Sequence, residues 1–409
     1  MMKFQVAKSD LETALAVVSH AMASSGGDIS SHYLFRLSAA DPQKMEVLTY
    51  TGRLMGGALF KIGETLDGDP ARFTIEGSRL KNWISVVPDG ATLDFEYDKV
   101  DGQAADTTIT VHGDDRKHIT FATLDPATFP FWDKTMESVE SKGKVNADRL
   151  RMALKRSGTF TAEEGSKDVG LQVVEVREGG EAGGVVTSTN KVRLCMTTIP
   201  SLKDARFRIH TKDIASTVGF LATCKTDELE VLETEKSFFL RRTSDQAYFG
   251  ETKFHDTFKT VGHVPFHDHY TWVISRAGLT KALKAVEQGA PKEDDRLWMA
   301  IRDTDLDIRM ETSTGKSATW NIPVKSTPGA DVDSNGKPVT RPDLPPSIQI
   351  NIANLRKLID AIGDIANGDD FTLGVNYMPA KKSGYFRHET PSSAAHDHTL
   401  IMIVWNKNQ

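Results

Sequence analysis

The apolar positions of this chain fall into a pattern that recurs. Val6 is followed by Leu11, Ala14 and Leu15, Val145 by Leu150, Ala153 and Leu154, and Ile274 by Leu279, Ala282 and Leu283, with repeats 139 and 129 residues apart. A second set lies between these: Phe73 and Ile75 before Leu80, Phe207 and Ile209 before Ile214, and Ile348 and Ile350 before Leu355. Alternation with a period of two reads as a strand, and apolar residues at i, i+3 and i+4 read as one face of a helix. The interleaved sets predict six strand-then-helix half-units, two to a domain, and therefore three tandem domains over 1–138, 139–263 and 264–409. Leu11/Ala14/Leu15/Val18, Leu80/Trp83/Ile84/Val87, Leu279/Ala282/Leu283/Val286 and Leu355/Leu358/Ile359/Ile362 extend the stripe to i+7, as amphipathic helices do. The third and fourth helices are weaker, with Ser157 at i+7 and Thr217 inside the stripe Ile214/Thr217/Val218/Leu221. Alternating runs between helices, such as Leu93 to Tyr97, Leu229 to Leu232 and Phe238 to Leu240, predict antiparallel strands with one wet face. The fold class is α+β, each domain packing two helices on antiparallel sheet. The segments 325–346 and 377–398 read as inserted surface loops.

Composition narrows the class. A chain of 409 residues with 39% hydrophobic and 26% charged residues is an ordinary globular protein of more than one domain. Cys195 and Cys224 are its two cysteines and make neither a disulfide framework nor a zinc spacing, so a reducing, cytoplasmic setting is expected. The opening MMKFQVAKSD turns polar at once, and no run approaches the roughly 18 apolar residues of a membrane span. The net charge of −6 argues against nucleic acid when taken as a sum. How that charge is distributed decides the question.

The stretch Phe121-Ala122-Thr123-Leu124-Asp125-Pro126-Ala127-Thr128-Phe129-Pro130 closely resembles the end of the first domain in bacterial DNA sliding clamps, the polymerase III beta subunit family. Val186 to Leu194, ending in Arg193-Leu194, is similar to that family's second-domain stretch, and Met2-Lys3-Phe4 and Ile348 to Asp364 match by type. The specificity lies in six half-units in the right order together with these stretches. The resemblance implies three clamp domains per protomer and head-to-tail homodimerisation into a closed ring whose helices line the hole. It also implies a non-catalytic processivity factor without a cofactor, whose partners are duplex DNA and, through short peptides, a DNA polymerase and a clamp loader.

A DNA-lined hole requires the helices to be basic. Six windows (8–24, 76–87, 146–158, 210–225, 275–288 and 351–364) hold fourteen Lys or Arg against eight Asp or Glu, an excess of +6 in a chain of net −6, so everything else carries −12. The candidate DNA contacts are Arg79, Lys81, Arg149, Arg151, Lys155, Arg156, Lys212, Lys281, Lys284, Arg356 and Lys357. Each alone is equally well the solvated face of a helix, and the sum favours DNA. Contacts to phosphates suffice, because a ring that slides reads no bases. The family's peptide groove, carried over by position, falls on Val169, Val192, Arg193, Leu194, Met402, Ile403, Val404 and Trp405. This chain departs from the family there: Lys191-Val192 stands for glycine-histidine, Ile403-Val404-Trp405 for methionine-proline-methionine, and Asn406 to Gln409 extend the tail. These departures predict a different preferred peptide and leave room for a phage-encoded relative.

Sharper chemistry finds less support. Asp331-x-Asp333-x-Asn335-Gly336 matches half of a calcium loop, but Pro342 takes the place of the closing Glu, and a plain turn accounts for it. His263, His267, Asp268 and His269, with His396, Asp397 and His398, are the candidate ligands for a metal-dependent hydrolase, the enzyme alternative. A clamp fold serving only as a protein scaffold is the third reading. No GxxxxGK[ST], GxSxG or GxGxxG occurs.

Overall fold

The computed structural model describes residues 2–23, 28–38, 41–63, 72–97, 106–129, 139–179, 183–225, 227–252, 267–289, 296–302, 304–311, 317–331, 337–343, 347–363, 369–381, 383–390 and 399–406. One plan, a strand, a helix and three further strands, is used six times. It gives β1 (Met2–Ala7), α1 (Lys8–Val18), β2 (His32–Leu37), β3 (Lys44–Tyr50) and β4 (Leu54–Lys61), then β5 (Arg72–Glu76), α2 (Gly77–Val86), β6 (Thr92–Tyr97), β7 (Asp106–Val111) and β8 (Asp114–Ala122). The middle pair is β9 (Glu140–Asn146), α3 (Ala147–Gly158), β10 (Val173–Arg177), β11 (Gly184–Thr189) and β12 (Arg193–Ile199), then β13 (Phe207–His210), α4 (Ile214–Cys224), β14 (Glu228–Glu233), β15 (Ser237–Arg242) and β16 (Tyr248–Thr252). The last pair is β17 (Tyr270–Ser275), α5 (Arg276–Gly289), β18 (Arg296–Arg302), β19 (Asp305–Glu311) and β20 (Ser317–Pro328), then β21 (Ile348–Asn351), α6 (Ile352–Gly363), β22 (Asp370–Met378), β23 (Ser383–Glu389) and β24 (Thr399–Asn406).

Five of the six helices begin at the residue after the strand ends, and at three of these junctions the last strand residue is an N-cap. Asn146 Oδ1 accepts from Arg149 N at 3.1 Å, Ser275 Oγ from Gly278 N at 3.0 Å, and Asn351 Oδ1 from Asn354 N at 3.0 Å. Each side chain satisfies an N–H that the first turn would otherwise leave without a partner. The apolar stripes then face inward as predicted. On α6, Leu355, Leu358, Ile359 and Ile362 are buried, each contributing about 1.5–3 kcal/mol of transfer free energy. The weak fourth helix turns its stripe slightly: Thr217, Phe220, Leu221 and Cys224 are buried, Val218 is half-buried, and the Thr217 hydroxyl donates to Asp213 O at 3.0 Å. Ser157 is likewise buried, within 3.7 Å of Cys195 Sγ.

By internal contacts the chain divides into two compact units, Met1–Met152 with Asp204–Phe254, and Ala153–Lys203 with His255–Gln409. In the first, one sheet runs β1-β6-β7-β8 and the other β5-β2-β3-β4-β16-β15-β14-β9. In the second, a sheet runs β10-β11-β12-β24-β23-β22-β17-β20-β19-β18-β21. Two pairings carry sheet past the boundaries that the repeat predicts, β4 with β16 and β12 with β24, which is why the units do not follow the repeat.

The eight-stranded sheet of the first unit is covered on both faces where β15 runs through it. Phe238, Phe239 and Leu240, expected to alternate between core and water, are all fully buried. A second apolar cluster on this sheet holds Leu34, Leu48, Met55, Leu232, Phe239, Tyr248 and Phe129, the last being the phenylalanine that ends the Phe121 to Phe129 stretch. Thr74 pins that stretch, its hydroxyl donating to Leu124 O at 3.0 Å and accepting from Leu124 N at 2.8 Å.

The segment 377–398 is not simply a loop. Ser383 to Glu389 form β23, bonded on one side to β22 and on the other to β24, with Phe386 fully buried. Its period was hidden because polar His388 occupies a buried position, where Nδ1 lies 2.8 Å from Thr372 O. Lys325 to Pro328 likewise belong to β20, paired with β17. Residues 332–336, 344–346 and 391–398 lie outside the described part.

The pairing of β4 with β16 needs glycine. Gly57 stands opposite Tyr248, and a β-carbon there would lie 2.2 Å from the tyrosine ring. Gly57→Ala is expected to cost about 1–3 kcal/mol, the usual penalty of overpacking, read as a lower urea midpoint; a loss below about 0.5 kcal/mol would mean the ring moves aside freely. The same pairing buries Glu251, 1% exposed, which accepts from His210 N at 3.3 Å. Burial raises its carboxyl to about 8, against the opposing pull of that hydrogen bond, Arg53 and Lys212. Its folded value exceeds its unfolded one, so stability is highest below about pH 4.5 for this group and falls as pH rises toward 8, by at most about 1.4 kcal/mol per pH unit. Denaturation midpoints between pH 5 and 8 should show that slope in the wild type and lose it in Glu251→Gln.

Candidate nucleic-acid interface and partner site

The basic candidates divide between the units. In the first, Arg79, Lys81 and Arg149 are exposed on α2 and α3, and Lys212 is exposed in the turn before α4. Arg79 lies over the Phe121 ring, 5.6 Å from its centroid. Arg151 is half-buried and its guanidinium bonds Asp148 at 2.5 Å, one helical turn away. Lys8, counted among the helix cations, is turned inward: its ammonium donates to Val87 O and Asp89, each at 2.8 Å. The basic excess of the helices is therefore smaller in effect than the count suggested.

In the second unit, Lys155, Lys281 and Lys284 are exposed and Arg156, Arg356 and Lys357 half-buried. Lys281 lies over the Trp320 ring, 5.8 Å from its centroid, and Arg356 pairs with Glu287, joining α6 to α5. Three of the eleven come together with a residue that the candidate set lacked. Lys155, Arg156 and Lys357 share one pocket with Arg276, which opens α5. Arg276 is one of the fourteen helix cations, but it stands three residues before Leu279, in register with the apolar stripe and not opposite it.

The groove candidates also converge. Antiparallel pairing of β12 with β24 sets Arg193 opposite Ile403 and Leu194 opposite Met402, though they lie over 200 positions apart. Val404 and Trp405 continue β24 beyond that pairing, opposite Tyr385 and Gly384 of β23. Arg193 and Leu194 are 4% and 2% exposed and, as strand neighbours, point to opposite faces. Val192 is half-buried, and Val169 opens a short 3-10 turn, Val169–Leu171.

At Lys191, where the family resemblance places glycine, the backbone keeps a glycine-like conformation with φ of 77°. The turn is held by Asn190 Oδ1, which accepts from Val192 N at 3.1 Å and Arg193 N at 2.8 Å, and by the Lys191 ammonium on Asp168 at 2.6 Å.

In the first candidate metal cluster, two members have other partners. Asp268 is taken by the Arg387 guanidinium at 2.5 Å, and His269 Nδ1 accepts from Tyr377 N at 3.1 Å, while burial and His267 hold the imidazole below its ordinary value. No group of three or more His, Cys, Asp or Glu able to hold a metal ion occurs among the described residues. His263, His396, Asp397 and His398 lie outside them, as do Asp333, Asn335 and Gly336 of the half calcium loop, whose Asp331 pairs with Arg341. No described helix is long and apolar enough to cross a membrane.

No protein-family model matches the sequence, and no curated protein does. Solved structures match nearly from end to end. DNA polymerase III subunit beta from Pseudomonas aeruginosa superposes with a TM-score of 0.76 at 14% identity, covering 98% of this chain and 99% of that one. The DNA polymerase sliding clamp from Caulobacter crescentus gives 0.75 at 14%, with 98% and 99% covered. The Bartonella birtlesii sliding clamp bound to griselimycin gives 0.76 at 14%, again with 98% and 99%. The chain thus has a sliding-clamp fold, the class that the sixfold strand-helix plan pointed to. More particularly, the fold is that of the DNA polymerase III beta subunit.

If backbone geometry holds the Lys191 turn, Lys191→Val should cost about 1–2 kcal/mol and Lys191→Gly nothing, because a β-branched residue strains most at positive φ and glycine least. Equal losses in thermal denaturation would show that the ion pair with Asp168 holds it instead.

Proposed function

We propose that the protein is a DNA sliding clamp, a non-catalytic processivity factor that encircles duplex DNA and tethers a DNA polymerase. The observation that carries this is the full-length match of the fold to DNA polymerase III beta clamps, joined to helices that are basic in an acidic chain. On this reading the chain is three domains, 1–138, 139–263 and 264–409, and two chains join head to tail, since a heterologous contact must close on itself to give a ring. The cations Arg79, Lys81, Arg149, Lys155, Arg156, Lys281, Lys284 and Lys357 on the helices and Lys212 before α4 meet phosphates. Arg151 and Arg356 contribute less, because acidic neighbours already neutralise them.

Phosphate contacts are independent of sequence and sensitive to salt, so affinity alone would not keep a sliding protein in place. Topological closure supplies retention. The partner site is where β12 meets β24, with Arg193 the charged member and the apolar residues around it receiving the anchors of a short peptide from a polymerase or loader. A clamp-fold scaffold that ignores DNA would share all of this except retention.

The protein should sediment as two chains and, once on a nicked circular plasmid, stay there through gel filtration until the plasmid is cut. Equal retention on circular and linear DNA, or a strict monomer at micromolar concentration, would overturn the reading.

A further inference from the structure

Among the described residues two large apolar side chains stand in water, Trp320 at 38% exposed and Val86 at 77%. Each belongs to a half-unit whose last strand has an open edge. β8 ends its sheet with β7 as its single neighbour, and β20 from Ser317 to Pro323 is bonded to β19 alone, since β17 joins it only from Val324 onward. The two joins within the chain show what such edges take. Each bonds the last strand of a first half-unit to the last strand of a second one, β4 to β16 and β12 to β24, so β20 and β8 are the pair left over.

At the join of β4 with β16, Gly56 stands opposite Phe249, and Phe220 of α4 stacks on Phe249 with ring centroids 5.3 Å apart. Strand registers carry these three places over to the open edges. Gly56 is opposite Thr49 of β3 and Ala318 opposite Met310 of β19, each the next-to-last residue of a seven-residue strand. Helix contacts agree: a β-carbon on Gly56 would lie 3.1 Å from Val18 Cα at the end of α1, and one on Gly289 at the end of α5 would lie 2.7 Å from Ala318 Cβ. Val6 and Val145 pair with Leu93 and Leu229; two residues on, Phe95 and Val231 lead across β7 and β15 to Ile119 and Phe249. Val86 precedes Phe220 by the same 134 residues that separate Ile75 from Ile209. Ala318 thus takes the place of Gly56, Ile119 that of Phe249, and Val86 that of Phe220. Trp320, two residues beyond Ala318, shares its face, with Lys281 over the indole ring at 5.8 Å from the centroid.

Resting on the clamp reading, we propose that Trp320 and Val86 are the anchors by which this chain recognises a second copy of itself: Ala318 faces the partner's Ile119, and the indole of Trp320 lies across that isoleucine and the partner's Val86. An aromatic side chain reaches the diagonal neighbour of a cross-strand pair. The edge from Ser317 to Pro323 carries no charged residue, so the contact consists of apolar side chains and backbone hydrogen bonds. Salt weakens contacts to phosphates and leaves apolar burial in place. The ring therefore stays closed at ionic strengths that loosen its hold on DNA.

Sedimentation of the full chain over a range of concentrations tests the anchors. Trp320→Ala should raise the dimer dissociation constant about thirtyfold, as loss of a central aromatic does, and Val86→Ser about tenfold; circular dichroism confirms that both variants fold. Between about 50 and 500 mM salt the wild-type constant should change less than about threefold, as expected of a contact without charge pairs. Register is tested by oxidation. A chain carrying Thr319→Cys and His118→Cys, at the places where Gly57 and Tyr248 pair, should form a covalent dimer, and Thr319→Cys with Ile119→Cys should not, because those thiols point to opposite faces. Cys195 and Cys224 are buried and do not compete. A dimer that neither anchor substitution weakens overturns the anchors and leaves the clamp reading standing. A constant that rises about tenfold over that salt range overturns the uncharged contact, and a missing His118 disulfide, or one at Ile119, overturns the register. A chain that stays monomeric overturns the clamp reading together with this inference.

Discussion

An open strand edge is a row of N–H and C=O groups that want partners, and this chain handles its edges by lending strands. Each half-unit makes a three-strand meander and leads with a strand that joins another meander. β1 pairs with β6, β5 with β2, β9 with β14, and β21 with β18. Neither member of such a pair of half-units completes its sheet alone, so the repeat is an obligate duplication. The pairings of β4 with β16 and β12 with β24 extend the principle from one pair to the next.

Both extending pairings carry unusual chemistry, for the same reason. Where two sheets are joined edge to edge, the strands at the join have hydrogen-bonded neighbours on both sides and become interior strands. At the first join this selects Gly57 and buries Glu251. At the second it buries Arg193, a charge placed at low exposure with Glu163 and Lys357 as its electrostatic neighbours. A buried cation is costly unless compensated, and the Glu163 carboxylate opposes the loss of its charge here.

The helices answer to different demands on their two faces. Inward, each stripe of Leu, Ile, Val and Ala fixes the helix on its sheet. Outward, cations accumulate, and packing decides what each is worth: Arg151 and Arg356 are committed to acids, Lys8 is turned in toward Asp89, and Lys155, Arg156 and Lys357 gather with Arg276 at one pocket. On the proposed clamp reading, a field that attracts phosphates without reading bases is what lets a ring move along DNA.

By itself, the sequence determined the local elements and their sixfold order, because helix and strand periods are written in neighbouring residues. The stripes at Leu11, Leu80, Leu150, Ile214, Leu279 and Leu355 each mark a helix of the structure. The stretch from Phe121 to Phe129 was legible as a resemblance, though not as the cover of an apolar cluster. Tertiary structure alone decided which strands pair across the repeat, and with that the buried states of Glu251 and Arg193, the two-sided burial of Phe238 to Leu240, and the strand at Ser383 to Glu389. Those outcomes rest on contacts between residues tens to hundreds of positions apart. Hydrogen bonds between strand backbones are alike whatever the side chains, so no local pattern records which edge will meet which.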